Sequence, residues 1–288
     1  MNHKPIIIGI GEVLFDIFPD SRQMGGAPVN FVYHASRLGA EGYAVTAIGD
    51  DDNGREILSV MDSAGLDYIA ETVPFPTGTV MVELDKAGIP TYTITENVAW
   101  DNIPLTAPML ELAGRADAVC FGTLAQRSPV TRGTIREVLA AVPEDAYRVF
   151  DINFRQDYFT RDTIIGSMRL ANILKINHEE LGQIKQILNI DAESEADICR
   201  WIGERFDMKM IVLTAGDSHS SIYTRDETST IETPRVKVVD TVGAGDAFTG
   251  ALISSLLAGS SLVEAHRFAV EKSAFACTQP GAWTDYSV

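Results

Sequence analysis

Four short apolar runs, Ala118–Phe121, Arg148–Ile152, Ile173–Ile176 and Met210–Leu213, recur along the second half of the chain with helical patterns between them. A strand that alternates polar and apolar residues covers one face of a sheet. A strand that is apolar throughout must be covered on both faces. Apolar strands alternating with helices therefore predict an α/β fold, a doubly wound and mostly parallel sheet flanked by helices. Ile6–Ile10, Val13–Phe18 and Tyr43–Ile48 read as strands upstream. Gly25-Gly26-Ala27-Pro28 opens a helix that runs through Leu38, and Arg55–Ala64 reads as another. Two stretches break the rhythm. One spans about 12–24; the other is a hairpin, Thr79–Leu84 and Thr91–Thr95 around the turn Asp85-Lys86-Ala87-Gly88. They predict a small separate sheet, a lid formed by segments about 12–24 and 78–96; the alternative is an edge extension of the main sheet. The 288 residues suit one large α/β domain, 1–288.

Charge narrows the function classes. With 40 acidic and 23 basic side chains the formal charge is −17, which argues against nucleic acid or an anionic membrane as partner. Cys120, Cys199 and Cys277 are scattered and show no metal-type spacing, as expected of thiols in a reducing cytoplasm. Glu12 and Asp16 interrupt the first apolar stretch, so it reads as neither a signal peptide nor a membrane span.

The chemistry concentrates at strand ends, where sheets of this kind bind ligands. Polar residues stand just after the apolar runs: Asp151, Asn153 and Arg155; Asn177 and Glu180; Thr214 and Gly216; Asp240 and Asp246. In Asp240-Thr241-Val242-Gly243-Ala244-Gly245-Asp246, two glycines lead into a helix marked by Ala247, Phe248, Ala251, Leu252, Leu256 and Leu257 and stopped by Gly259. Glycine lets backbone N–H groups approach a ligand, and the helix N-terminus adds partial positive charge. An acid beside such an anion cradle points to phosphoryl transfer; an ordinary Gly-rich turn with an aspartate cap is the alternative. The helix N-terminus is expected to lower the pKa of Asp246. The chain has no G-x-x-x-x-G-K-[ST], H-E-x-x-H or G-x-S-x-G, and Leu14 occupies the third glycine position after Gly9-Ile10-Gly11. P-loop, zinc peptidase, α/β-hydrolase and nicotinamide dehydrogenase readings lose their support.

The order of four motifs carries a resemblance. Gly25-Gly26-Ala27-Pro28-Val29-Asn30 with Arg37-Leu38-Gly39, Gly49-Asp50-Asp51-Asp52-Asn53-Gly54, Asn177-His178-Glu179-Glu180, and the Asp240–Asp246 turn together resemble the ribokinase (PfkB-type) carbohydrate kinase family over nearly the full length. The resemblance implies a ribokinase-like fold and an ATP-dependent sugar kinase. It makes Asp246 the catalytic acid-base residue, with amides of Gly243, Ala244 and Gly245 around the transferring phosphoryl group. Asp16, Gly26 and Asn30 become the sugar pocket. Asp16 shares a strand face with Leu14 and Phe18, where an acid needs a partner. Asn177, Thr214, Gly216 and Gly245 line the nucleotide, although His219 replaces a family glycine in the adenine-side loop. Glu180 helps hold Mg²⁺ through water. Asp240, Val242, Ala276, Gln279 and Gly281 match the surroundings of a K⁺ ion.

Within the family, Glu96–Asp101, Phe121–Arg127 and Asp151–Gln156 resemble bacterial fructokinases. Related 2-keto-3-deoxygluconate kinases usually carry an arginine two residues after a lid tyrosine, but Tyr92-Thr93-Ile94 has isoleucine there. A neutral sugar, D-fructose giving fructose 6-phosphate, is therefore expected. Arg127 and Arg155 keep a sugar acid open, as does ribokinase activity, and Trp100 either packs on the sugar or anchors the lid. A non-catalytic sugar or nucleotide sensor is the rival of another class. A homodimer through the lid is expected from an exposed apolar sheet face.

Overall fold

A computed structural model describes residues 4–84 and 90–286. In chain order the strands are β1 (Ile6–Ile10), β2 (Leu14–Ile17), β3 (Arg22–Gly25), β4 (Glu41–Gly49), β5 (Asp67–Val73), β6 (Gly78–Leu84), β7 (Pro90–Ile94), β8 (Ala118–Phe121), β9 (Tyr147–Asp151), β10 (Ile173–Asn177), β11 (Met210–Ala215), β12 (His219–Tyr223) and β13 (Thr228–Glu232). The helices are α1 (Ala27–Arg37), α2 (Asp52–Ser63), α3 (Ala107–Ala113), α4 (Pro129–Ala141), α5 (Arg161–Leu170), α6 (His178–Leu188), α7 (Glu195–Phe206), α8 (Ala244–Leu257) and α9 (Leu262–Ala276).

Among the described residues nine strands form one sheet in the order β13-β12-β11-β10-β9-β8-β1-β4-β5. β12 pairs antiparallel with both β11 and β13; the other pairings are parallel. β1 shows why these strands are apolar throughout. Ile6, Ile8 and Ile10 enter a core packed by residues of α3 to α7, whereas Ile7 enters a second core packed by α1, α2, α8 and α9. Helices thus cover both faces, and each strand must be apolar on both. The antiparallel β12–β13 edge and the parallel edge strand β5 have mixed polar sequences, so apolar runs do not reveal them.

Connectivity fixes where a ligand can sit. The chain leaves β1 for β4 on one side and later returns to β8 on the other. This reversal opens a crevice at the carboxyl end of β1. Two helices that start around this crevice, α1 and α8, cross closely because residue 250 has no side chain. A Cβ on Gly250 would lie 2.9 Å from the Phe31 carbonyl oxygen. The approach brings Asn30 on α1 to Asp246 on α8.

The second sheet, in the order β3-β2-β6-β7, is separate from the first. One of its faces presents Asp16, Val80, Tyr92 and Ile94 to the crevice, while Met81 on the other is 42% exposed. The hairpin turn expected at 85–88 lies outside the described residues.

Candidate active site

The crevice holds a cavity of about 830 Å³, bounded by the small sheet, the loop after β1, the loop after β9 and the turn before α8. Leu14, Asp16 and Phe18 all line it, as do Gly26 and Asn30 at the start of α1. Asn153, Phe154, Arg155 and Gln156 come from the loop after β9, and Gly243, Gly245 and Asp246 from the α8 turn.

The turn depends on Gly243, the N-cap of α8, at φ 75°. A side chain there would be strained and would also meet Ala282 at 2.9 Å. The Ala244 N–H donates to the Thr241 carbonyl at 3.2 Å. Ala244 is thereby withdrawn from the set of three amides expected around an anion, which leaves Gly243 and Gly245 to offer theirs. A Cβ on Gly245 would stand 3.1 Å from Lys175 Nζ, so the bare glycine keeps this amide and the ammonium on one shared space.

Asp246 lies in the first turn of α8, and its Oδ2 accepts a hydrogen bond from Asn30 Nδ2 at 2.9 Å. Asn30 Oδ1 in turn accepts from Trp283 Nε1 at 2.9 Å. The Trp283 ring stacks on Tyr33, 4.3 Å between centroids and 10° from parallel. Asn30 therefore holds the catalytic candidate as well as facing the cavity, a role the sequence did not disclose. The expected lowering of the Asp246 pKa is reversed. Burial and the charge of Asp151 raise it to about 7, against the opposing pull of Asn30, Lys175 and Arg155. The helix terminus is outweighed because the carboxylate is shielded from water and faces another acid.

Lys175 is a functional candidate that strand reading passed over, and its partner is the strand-end residue Asp151. Lys175 stands in an otherwise apolar strand, is 8% exposed, and donates to Asp151 Oδ1 at 3.2 Å. Burial disfavours its ammonium, but Asp151, Glu180 and Asp246 outweigh that and its pKa is raised. The usable signal was one cation inside a strand covered on both faces, which requires a buried anion next to it.

Glu180 belongs to the cap of α6. Its Oε2 accepts from Asn177 N and its Oε1 from Phe154 N, each at 2.9 Å, while Asn177 Oδ1 accepts from Glu180 N at 2.9 Å. Burial raises the Glu180 pKa despite Lys175 nearby. A carboxylate held by two amides cannot swing toward a cation, which suits contact through water. Among the described residues no group of three or more His, Cys, Asp or Glu side chains is placed to hold a metal ion alone.

A family model described as pfkB family carbohydrate kinase matches residues 18–287. The chain belongs to the pfkB family of carbohydrate kinases. Fructokinase-1 of Zea mays is 29% identical over 97% of this chain and 94% of its own length. A fructokinase of Klebsiella pneumoniae is 29% identical over 86% of this chain and 83% of its own. Among solved structures, a fructokinase with bound ATP from Xylella fastidiosa superposes with a TM-score of 0.87 at 23% identity, covering 98% of this chain and 95% of that one. A double-mutant fructokinase from Vibrio cholerae O395, in fructose-, ADP- and potassium-bound form, gives 0.82 at 23% identity over 99% and 96%. At these identities the structural likenesses establish the fold, which is ribokinase-like.

Two residues expected at the sugar of this kinase lie elsewhere. Trp100 is 1% exposed and packs beneath Gly78, where a Cβ would lie 2.1 Å from its Nε1. Arg127 bonds Asp101 through Nε and Nη2, both at 2.8 Å, and lies between the rings of Trp100 and Tyr158. Neither lines the cavity. Local sequence likeness marked them, but the pair is sequestered because a guanidinium buried this deeply needs its own carboxylate. Arg155 does line the cavity and donates only to the Phe154 carbonyl among the described residues.

The remaining expected positions fall into two groups. Asn177 and Thr214 stand at the ends of β10 and β11, and Gly216 follows at φ 54°; none lines the cavity. Asp240 clasps two loops, Oδ1 accepting from Val242 N and Oδ2 from Gly281 N, both at 3.0 Å. The Ala276 carbonyl accepts from Gln279 N at 3.0 Å. No helix among the described residues is long and apolar enough to cross a membrane.

Proposed function

We propose that this kinase is an ATP-dependent fructokinase, forming fructose 6-phosphate from D-fructose. The observation that carries the reading is Asp246, fixed by Asn30 on the wall of a cavity that has Asp16 and Gly26 within it and the Gly243–Gly245 turn beside it. A hydroxyl aimed by Asp246 attacks the γ-phosphorus as the bond to the ADP oxygen breaks, and its proton passes to Asp246. The transition state is loose, so the proton leaves late and a weak base suffices. Amides of Gly243 and Gly245 and the Lys175 ammonium face the charge that develops. Glu180 would hold a nucleotide-bound Mg²⁺ through water, and the ion would supply neutralisation of phosphate charge. Asn177 Nδ2, Thr214 and Gly216 take the nucleotide side. Asp240 with carbonyls of Val242, Ala276, Gln279 and Gly281 would hold a K⁺ ion, since each Asp240 oxygen keeps a lone pair after its single N–H.

A neutral sugar fits because Arg127 is tied to Asp101 and Ile94 takes the place of an arginine. The names of the relatives point the same way. The small sheet serves as the lid of a single domain, its outer face pairs two copies, and the protein works in the cytoplasm. The test is an ADP-release assay with fructose, ribose and 2-keto-3-deoxygluconate, with and without K⁺. Fructose is expected to give the highest kcat/KM. Asp246→Asn is expected to lower turnover about a thousandfold with unchanged circular dichroism. Near-normal turnover in that variant removes the mechanism, and ADP release from no sugar favours a sensor.

A further inference from the structure

Glu12 stands two residues after the end of β1 and lines the cavity, yet no role above uses it. It is 4% exposed, and its Oε2 accepts no hydrogen bond. Burial raises its pKa, opposed by its own amide, by Arg155, by the Ala27 amide and by Arg127. The Ala27 amide opens α1, where Gly26 provides no side-chain cap. That accounts for an acceptor at this place. It does not account for an acid with an oxygen left over in a cavity, since buried polar atoms in native proteins are paired.

Charge at this end of the cavity adds a second argument. Glu12, Asp16 and Asp246 line this space with Arg155 and Lys175, and Lys175 is already bonded to Asp151. A ligand bringing hydroxyl donors completes the set. A ligand bringing its own carboxylate meets three acids, with Arg155 and a Lys175 already shared with Asp151 to offset them.

We propose that Glu12 accepts a hydroxyl of the acceptor sugar and sets the preference of this kinase for neutral sugars over sugar acids. The inference rests on the sugar-kinase reading of the cavity. It is tested with Glu12→Gln, which keeps an oxygen for the Ala27 amide but removes the charge. Steady-state kinetics on fructose and 2-keto-3-deoxygluconate are measured for both proteins, with thermal unfolding as the check on the fold. For fructose, KM is expected to rise about tenfold with kcat within twofold, the size expected for a weakened hydrogen bond to a charged group. For the sugar acid, KM is expected to stay or fall, so the ratio of the two kcat/KM values narrows at least tenfold. A purely structural role moves both substrates by the same factor, and that result overturns the proposal, as does an unchanged ratio. If Glu12→Gln does not fold, Glu12→Asp draws the carboxylate back and is expected to narrow the ratio in the same direction; an unchanged ratio there is equally fatal. A wild-type protein that prefers the sugar acid refutes the fructose reading as well. A wild-type preference for fructose with an unmoved ratio refutes Glu12 alone.

Discussion

The side chains of Arg127–Asp101 and Lys175–Asp151 are buried to nearly the same degree, 9% and 7% exposed in one pair and 10% and 7% in the other. They are built differently. Arg127 presents two N–H groups to Asp101, one of which also reaches the Thr95 carbonyl, and its flat faces are covered by Trp100 and Tyr158. Lys175 makes one bond of 3.2 Å to Asp151, and its ammonium borders the cavity beside Gly245. Arg127 Nη1 is buried without an acceptor and away from the cavity, so this pair ties the end of β7 to the main body and offers nothing to a ligand. A pair that leaves donors facing a cavity is available to a ligand. Equal burial thus accompanies opposite purposes, and whether the remaining donors border the cavity separates them.

Breaking each pair is the strongest way to test that contrast. Lys175→Met strands Asp151 and Arg127→Met strands Asp101, and each is expected to destabilise the fold by about 3–5 kcal/mol. Urea unfolding measures this. The difference should appear in the protein that remains folded. Turnover per folded molecule falls at least a hundredfold without Lys175 and stays within a fewfold without Arg127. Equal losses in the two variants erase the distinction.

Asp246 supplies a second, smaller contrast, this time between folded and unfolded chains. Its folded pKa of about 7 lies above the ordinary value of 3.8, so the folded chain holds a proton that the unfolded chain has released. The stability this gives is complete below about pH 4 and is lost as pH rises through about 7. Asp246→Asn removes the dependence. Its melting temperature should gain on that of the wild type between pH 5 and 7.5, while wild-type kcat/KM climbs over the same interval as the base ionises. A constant difference in melting temperature across that range contradicts the assigned environment.

The smallest expected effect concerns Trp283→Phe. It keeps the stack on Tyr33 but deletes the donor to Asn30 Oδ1. A loss of about 1 kcal/mol in transition-state stabilisation, or roughly fivefold in kcat/KM, follows from one hydrogen bond. KM for ATP should not move.

The fold and the α8 turn were legible because they rest on local rules. Strands apolar on both faces force a covered parallel sheet, and two glycines before an aspartate set the turn. Asp16 was legible too, since alternation along one strand put it on the face of Leu14 and Phe18, and the cavity receives all three. What escaped depends on distance in sequence. Asn30 and Asp246 are 216 residues apart, and only the close crossing of α1 and α8 at Gly250 makes one the partner of the other. The Asp246 pKa was misjudged for a related reason. The helix terminus is visible in the sequence, whereas burial and the neighbouring Asp151 are products of assembly. Arg127 was kept open for the sugar and Trp100 for the sugar or the lid, because short segments do not show which carboxylate a buried guanidinium will find or which sheet an indole will pack under.

The bond from Trp283 to Asn30 has a bearing on how the protein comes into being. Asn30 is made early and Trp283 253 residues later. During synthesis, α1 emerges with the side chain that will hold the base, but its orienting donor is still unmade. A chain clipped ahead of residue 283 is in the same condition. Such chains retain every residue that would touch ATP or sugar, yet the carboxamide that aims Asp246 is unanchored. The bond from Asn30 to Asp246 does not itself depend on Trp283, so the expected cost in such molecules of losing this one donor is the same factor of about five as in Trp283→Phe.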